Sequence, residues 1–129
     1  MRWHQQQTVL IVEPRPRLRP LLRVLLRKKL PRSVRVLETS HGLEALAIIR
    51  QERPDLILLS ARIPQLNCSS ISRLLKCNPQ TTQAKVLLLP AGWLSNPPPE
   101  ADAYLRQPLY SPSELINQVH ELLGLSPPQ

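Results

Sequence analysis

Residues 53–64, RPDLILLSARIP, decide how this chain folds. An apolar run from Leu56 to Leu59 ends at Ser60, and a proline stands on either side of the segment. A run this short between prolines is typical of a fully buried strand rather than of a helix. Buried parallel strands present a residue at the carboxyl edge of their sheet, where open α/β folds keep their functional sites. The sequence therefore predicts that Ser60 lies at such an edge.

Strand and helix patterns alternate on both sides of this segment. The other predicted strands are TVLIVE, SVRVLE, AKVLLLP and the short ADAYL. Helical spacing of apolar residues is found in LRPLLRVLLRKKL, GLEALAIIRQE, LNCSSISRLLKC and a last helix that begins at SPSE. This alternation indicates an α/β fold with helices on both faces of a parallel sheet. Right-handed connections make it a flavodoxin-like, doubly wound, five-stranded sheet of order 2-1-3-4-5.

One helix is missing from the alternation. Between the fourth and fifth strands lies AGWLSNPPPE, whose three consecutive prolines exclude an ordinary helix. We expect a Pro-rich, non-helical loop over residues 92–100 in place of the fourth helix. The predicted organisation is an N-terminal extension over residues 1–7, one domain over residues 8–124, and a tail over residues 125–129.

Two helices carry signals for their ends. SPSE places Ser111 at the N-cap, Pro112 in the first turn and Glu114 at the third position, which is a capping box. Gly124 is the natural stop of that helix. Ser40 is the expected cap of the helix GLEALAIIRQE.

Composition limits the class of protein. The chain has 129 residues, 42% of them hydrophobic, which suits one globular domain, and because Phe is absent the core must be aliphatic. The sequence has no run of 18 apolar residues, so it predicts no membrane span. The first residues also lack the apolar region of a signal peptide. Cys68 and Cys77 would lie about 13 Å apart along one helix, too far for a disulfide. We therefore expect free thiols and a cytoplasmic protein.

Positive charge is concentrated near the start of the chain. The formal charge is +8, and residues 15–35 hold nine basic residues and no acid. Arg19, Arg23 and Arg27 follow one another at four-residue spacing on the first helix, where like-charge neighbours cost roughly 0.2–0.5 kcal/mol per pair. Such a stripe suggests a surface for an anionic partner, which could be nucleic acid, an acidic protein surface or another part of a longer parent chain. The alternative is a basic face that is simply solvated.

Over roughly residues 8–123, the sequence resembles the receiver domain of two-component response regulators. The resemblance rests on VLIVEPRPRLRPLLRVLL, SHGLEALAIIRQERPDLILLSARIP, AKVLLLPA and ADAYLRQPL, which occur in the family's order and spacing. It implies a signalling domain in which an aspartate ending the third strand accepts a phosphoryl group. Two acids after the first strand would hold Mg²⁺, and a hydroxyl and a lysine would complete the site.

At the matching positions this chain has lost most of that chemistry. Glu13 and Pro14 stand for the metal-binding acids, Ser60 for the aspartate, Pro90 for the hydroxyl and Gln107 for the lysine. A serine without an adjacent base is a poor nucleophile, and a single carboxylate is a poor ligand set for Mg²⁺. We therefore interpret the pocket as degenerate, with no catalytic residue, metal or cofactor. Ser60 then fills space, or alternatively is phosphorylated by a separate kinase.

Two arginines adjoin this pocket. The simpler expectation is that Arg15 and Arg62 both point to water, and the alternative is that one of them pairs with Glu13.

The resemblance favours a pseudo-receiver, a phosphorylation-independent module that binds a protein partner such as a signalling protein or an output domain. Trp93, Leu94, Tyr104 and Tyr110 are the candidate partner surface, although Trp93 and Tyr104 could instead simply cover the core where the helix was lost. The alternatives are a basic domain that associates weakly with nucleic acid, and the receiver part of a DNA-binding transcriptional regulator. A homodimer is compatible with each of these functions. No nucleophile–base pair is evident, so an enzyme is not expected.

Overall fold

The computed structural model describes residues 6–60, 75–76, 84–89, 103–104 and 111–125. The strands are β1 (Thr8–Val12), β2 (Arg35–Thr39), β3 (Leu56–Ser60), β4 (Lys85–Leu89) and β5 (Ala103–Tyr104). The helices bounded within these residues are α1 (Leu18–Lys29), α2 (Gly42–Glu52) and α3 (Pro112–Leu123).

All strand pairs in the sheet are parallel, and the strand order is β2-β1-β3-β4-β5. Val12 is level with Thr39 of β2 on one side and with Leu59 of β3 on the other. The carboxyl ends of the three strands therefore meet at one edge, which places Glu13 and Ser60 there. The parallel, flavodoxin-like fold predicted from the sequence is confirmed.

The core lies on both faces of this sheet. Val9 and Ile11 of β1 pack with the apolar sides of α1 and α3, whereas Leu10 and Val12 pack with α2 on the opposite face. Every residue of β1 and β3 is buried, as expected for central strands covered on both sides. Full burial of a Leu, Ile or Val side chain stabilises a fold by about 1.5–3 kcal/mol, so these two strands fix the position of the edge.

The ends of α3 agree with the sequence, whereas the cap of α2 does not. Ser111 Oγ accepts a hydrogen bond from the Glu114 backbone N–H at 3.1 Å, as predicted. The helix α2 begins at Gly42 as predicted, but the cap predicted at Ser40 is wrong, because the N-cap is His41, whose side chain makes no capping bond. Thr39 Oγ1 accepts from the His41 N–H at 3.2 Å and so holds this turn instead.

Gly124→Ala should destabilise the domain by about 1 kcal/mol. Gly124 closes α3 with a φ of 72°, and an added methyl group would meet no atom within 4 Å. The cost is therefore purely that of the left-handed backbone. Urea unfolding measures it, with Gly124→Asn as the control, because Asn tolerates this conformation better. Equal losses for the two variants would contradict the explanation.

Several predictions concern residues that the structure does not describe. These are the Pro-rich loop at residues 92–100 and the free thiols Cys68 and Cys77, which stay predictions. Within the described ranges, no helix has the length and apolar character needed to cross a membrane.

Candidate functional site at the carboxyl edge of the sheet

The candidate site begins with two polar residues that follow buried strands. Glu13 comes directly after β1, and Ser60 is the last residue of β3. Since Val12 and Leu59 are register partners, Glu13 and Ser60 are the next residues along two adjacent strands. Both have 0% relative exposure. The sequence placed both residues at this edge correctly.

Arg15 binds the Glu13 carboxylate through three hydrogen bonds. Arg15 Nη2 donates to Glu13 Oε1 at 2.8 Å, and Arg15 Nε donates to Oε2 at 2.9 Å. The Arg15 backbone N–H also donates to Oε2, at 2.9 Å. The side chain of Arg15 is 47% exposed, so the guanidinium covers a fully buried carboxylate from the solvent side. The expectation that Arg15 points only to water is therefore wrong, and the alternative pairing is confirmed. Arg62 lies outside the described residues.

The main chain of Glu13 is also held on both sides. Its N–H donates to the carbonyl oxygen of Thr39 at 3.0 Å, which ties it to β2. Its own carbonyl oxygen accepts from Arg19 Nη1 at 3.2 Å. Glu13 is therefore fixed by bonds that do not involve its carboxylate, as well as by those that do.

From Arg19 the contacts continue along α1. Arg19 Nε lies 3.5 Å from Glu38 Oε1, and Arg23 Nη1 donates to both carboxylate oxygens of Glu38 at 3.0 Å. We call Arg15, Glu13, Arg19, Glu38 and Arg23 the charge network. It alternates in sign from the sheet edge to the middle of α1.

In the charge network, two of the three arginines of the predicted basic stripe contact an acidic side chain. Glu38 on β2 pairs with both Arg19 and Arg23 and offsets one of their two positive charges, so only Arg27 of the predicted stripe lacks an ion pair among the described residues. Exposed positive charge that has no ion pair among the described residues is concentrated where α1 ends. We call this surface the basic end of α1, and its exposed members are Arg27, Lys28, Lys29 and Arg32.

Glu38 was missed, although the sequence carried a signal for it. Val34 and Val36 pack in the core on the α1 side of the sheet. Side chains alternate along a strand, so the residue two positions beyond Val36 faces the same side. Glu38 therefore had to lie beneath the basic helix.

Comparison with known proteins agrees with this architecture. The model of the family described as "Response regulator receiver domain" matches residues 9–91, well over half of the chain. The chain belongs to this family. None of the curated proteins is significantly similar to this receiver domain.

Solved structures with the same fold include receivers of both response regulators and kinases. One is the signal receiver domain of a DNA-binding response regulator protein from Colwellia psychrerythraea 34H, with a TM-score of 0.80, 17% identity and coverage of 92% of this chain and 98% of that one. Another is the receiver domain of a sensor histidine kinase from Pseudomonas aeruginosa PAO1, with a magnesium ion coordinated in its active-site cleft. Its TM-score is 0.76 at 23% identity, and the match covers 92% of this chain and 98% of that one.

A third structure is the signal receiver domain of a signal transduction histidine kinase from Syntrophus aciditrophicus. Its TM-score is 0.75 at 25% identity, and the match covers 92% of this chain and 90% of that one. The chain described here is therefore a receiver domain of the kind found in response regulators and sensor kinases.

The residues present at the sheet edge do not fit the magnesium ion that the family implies. Mg²⁺ requires oxygen ligands in near-octahedral geometry, usually including one or two carboxylates. Both oxygens of Glu13 already accept from Arg15, Pro14 offers no side-chain ligand, and Ser60 offers only a hydroxyl. Across the described parts of the chain, no group of three or more His, Cys, Asp or Glu residues could hold a metal ion.

The other residues singled out from the sequence are not brought together by what the structure describes. Pro90 and Gln107, which the sequence predicts to belong to a degenerate pocket, lie outside the described residues. So do Trp93, Leu94 and Tyr110 of the candidate partner surface. For Tyr104, the structure gives only a backbone position in β5, level with Leu88 of β4.

Proposed function

We propose that this receiver domain is a pseudo-receiver, which signals without phosphorylation by binding another protein rather than by catalysis. The observation that carries the proposal is Ser60, a buried hydroxyl at the end of β3 where the family's chemistry needs a carboxylate. An acyl phosphate forms only on a carboxylate, and a serine without an activating base is a weak nucleophile. Receiver domains work by contacting other signalling proteins or output domains, and that role does not require the lost group.

The state of Glu13 supports the same proposal. Phosphoryl transfer depends on cations that neutralise the charge on the transferred group. The carboxylate that would recruit such a cation is occupied by Arg15 on both of its oxygens. Among the residues that the structure describes, the edge therefore has neither the acceptor carboxylate nor a free carboxylate for a metal, and Pro90 and Gln107 remain further losses by sequence alone.

The protein should gain no phosphoryl group from acetyl phosphate with Mg²⁺, and it should not bind a beryllofluoride mimic. Intact-mass spectrometry measures the first, with a conventional receiver domain carrying the acceptor aspartate as positive control. Ser60→Asp alone should not restore the reaction, because Pro14 still offers no second carboxylate. A stoichiometric, hydroxylamine-sensitive adduct on the wild-type protein would overturn the proposal. A hydroxylamine-stable phosphate already present on protein purified from its native cells, before acetyl phosphate is added, would instead point to modification of a serine or threonine by a separate kinase.

The outer face of α1 favours a protein as the partner. Leu21 and Val24, three residues apart on one side of the helix, have relative exposures of 66% and 56%. They precede the basic end of α1, so one helix presents apolar groups beside positive charge. Large exposed apolar groups next to a polar rim are typical of protein interaction sites. The surface of Trp93, Leu94, Tyr104 and Tyr110 stays a second proposed contact.

Association with nucleic acid is the other candidate, whether the domain acts alone or as the receiver part of a DNA-binding transcriptional regulator. One observation favours it. The four cations at the basic end of α1 are exposed and form no ion pair within the described residues. Phosphates bound there would release counterions, so affinity would fall steeply as salt is added.

Duplex DNA should bind only weakly, with a dissociation constant of about 10⁻⁴–10⁻⁶ M. The log of the affinity should fall against the log of the salt concentration with a slope of about −0.9 per phosphate contacted. Charge reversal of Arg27, Lys28 and Lys29 to Glu should abolish this binding. The control reverses Arg17, Arg50 and Lys85, which are exposed, changing the net charge equally at dispersed positions. Fluorescence anisotropy at several salt concentrations measures both. Tight binding at physiological salt would rank the nucleic-acid function first.

A further inference from the structure

We propose that the Arg15 guanidinium is the resident cation of this receiver. It takes the charge role of a divalent metal at the sheet edge and thereby keeps the edge closed to metals. The proposal rests on the three hydrogen bonds that Arg15 makes to a carboxylate with 0% exposure.

A buried carboxylate must be compensated, and Arg15 compensates it with suitable geometry. An ionised carboxylate removed from water is costly unless a cation and hydrogen bonds satisfy both of its oxygens. The planar guanidinium matches a carboxylate through two parallel bonds and stays charged at any ordinary pH. In this domain Nε and Nη2 of Arg15 each reach a different oxygen of Glu13, at 2.9 and 2.8 Å.

Because Arg15 and Glu13 belong to the same short segment, the cation that compensates the Glu13 carboxylate is always present. Arg15 lies only two residues after Glu13, and its own backbone N–H joins the side-chain contacts. A cation supplied by the same loop does not depend on the concentration of ions in solution. A magnesium ion would have to displace these bonds and shed tightly held water as well.

The other bonds of Glu13 predict what happens when Arg15 is removed. Thr39 and Arg19 hold the main chain of Glu13 and do not use its carboxylate. Glu13 should therefore stay in place in an Arg15→Ala variant. The lost side chain was 47% exposed, so its removal opens the carboxylate to solvent and to ions. The opened carboxylate should then bind a divalent cation weakly, because Glu13 is a single carboxylate and Pro14 adds no second one.

Thermal unfolding with added MgCl₂ or MnCl₂, against NaCl of equal ionic strength, tests the inference. The wild-type midpoint should move by no more than about 1 °C. The unfolding midpoint of Arg15→Ala should rise by about 5 °C when the divalent ion is present at ten times its dissociation constant for the variant. The double variant Glu13→Gln/Arg15→Ala, which lacks the carboxylate, should not respond. If Arg15→Ala does not fold, Arg15→Gln replaces it, since its amide can still donate to Glu13 without carrying charge.

Paramagnetic broadening by Mn²⁺ provides a second measurement. Amide signals of Glu13 and Thr39 should broaden in the Arg15 variant and stay sharp in the wild type. A wild-type response as large as that of the variant would overturn the inference, and so would a folded Arg15 variant that ignores both ions. These outcomes are independent of the proposed function, because no phosphoryl donor is present and a receiver could bind metal without accepting phosphate.

Discussion

Ser60→Asp is expected to lower the free energy of unfolding by about 3 kcal/mol. Ser60 is fully buried on a central strand, between β1 and β4. The new carboxylate would stand beside Glu13 on the neighbouring strand, and Arg15 is already engaged by Glu13. Two buried carboxylates would then share one guanidinium. Urea unfolding followed by circular dichroism measures the loss.

Ser60→Asn is the matched control for that prediction. Asn has nearly the shape of Asp but no charge, so it reports the cost of size and polarity alone. We expect it to cost at least about 1.5 kcal/mol less than Ser60→Asp, because the difference reflects an uncompensated buried charge. Equal costs would mean that the edge has spare positive charge for a second carboxylate, contrary to the contacts described.

Arg15→Ala should destabilise the domain by about 2–3 kcal/mol. Removing one partner of a fully buried ion pair typically costs about 3–5 kcal/mol, since the other charge is left uncompensated. Arg15 is half exposed, so water can partly replace it and the loss should be smaller. Chemical denaturation measures this loss in the absence of divalent ions.

A double-mutant cycle separates the pair from its surroundings. Glu13→Gln, Arg15→Ala and the double variant should give a coupling energy of about 1.5–2 kcal/mol. The control pair is Arg35 and Glu52, whose atoms Nη1 and Oε1 lie 2.7 Å apart with both side chains more than a third exposed. Its coupling should be no more than about 1 kcal/mol, as for surface pairs generally. Similar coupling in the two cycles would refute the special role of Glu13 burial.

The fold and the location of the site were predictable from the sequence for a physical reason. The runs in β1 and β3 are apolar at every position, and only central parallel strands bury both faces of a strand. Once those strands are placed, their last residues must lie at one edge. Glu38 was predictable too, from the alternation of side chains along β2, and the cap of α3 followed from local sequence alone.

The pairing of Arg15 with Glu13 could not be decided from the sequence. An arginine on a loop gains little from a nearby carboxylate if both are in water. The pairing becomes favourable only when tertiary packing buries Glu13, and that depends on how α1 and β2 meet over the edge. The cap of α2 was misplaced for a related reason. Candidate caps one residue apart differ by a small free energy, which contacts such as that from Thr39 decide.

The strand order also exposes one margin of the sheet. Among the described residues, β2 has a hydrogen-bonded neighbour only on the β1 side, and such a border strand can recruit a strand from another molecule. Arg35 and Glu38 place opposite charges on this strand and anchor it through Glu52 of α2 and Arg23 of α1. Charges on a border strand oppose the addition of a further strand. These ion pairs, to α1 through Glu38 and to α2 through Arg35, should therefore also oppose aggregation through this border, and concentrated salt, which screens them, should weaken that protection.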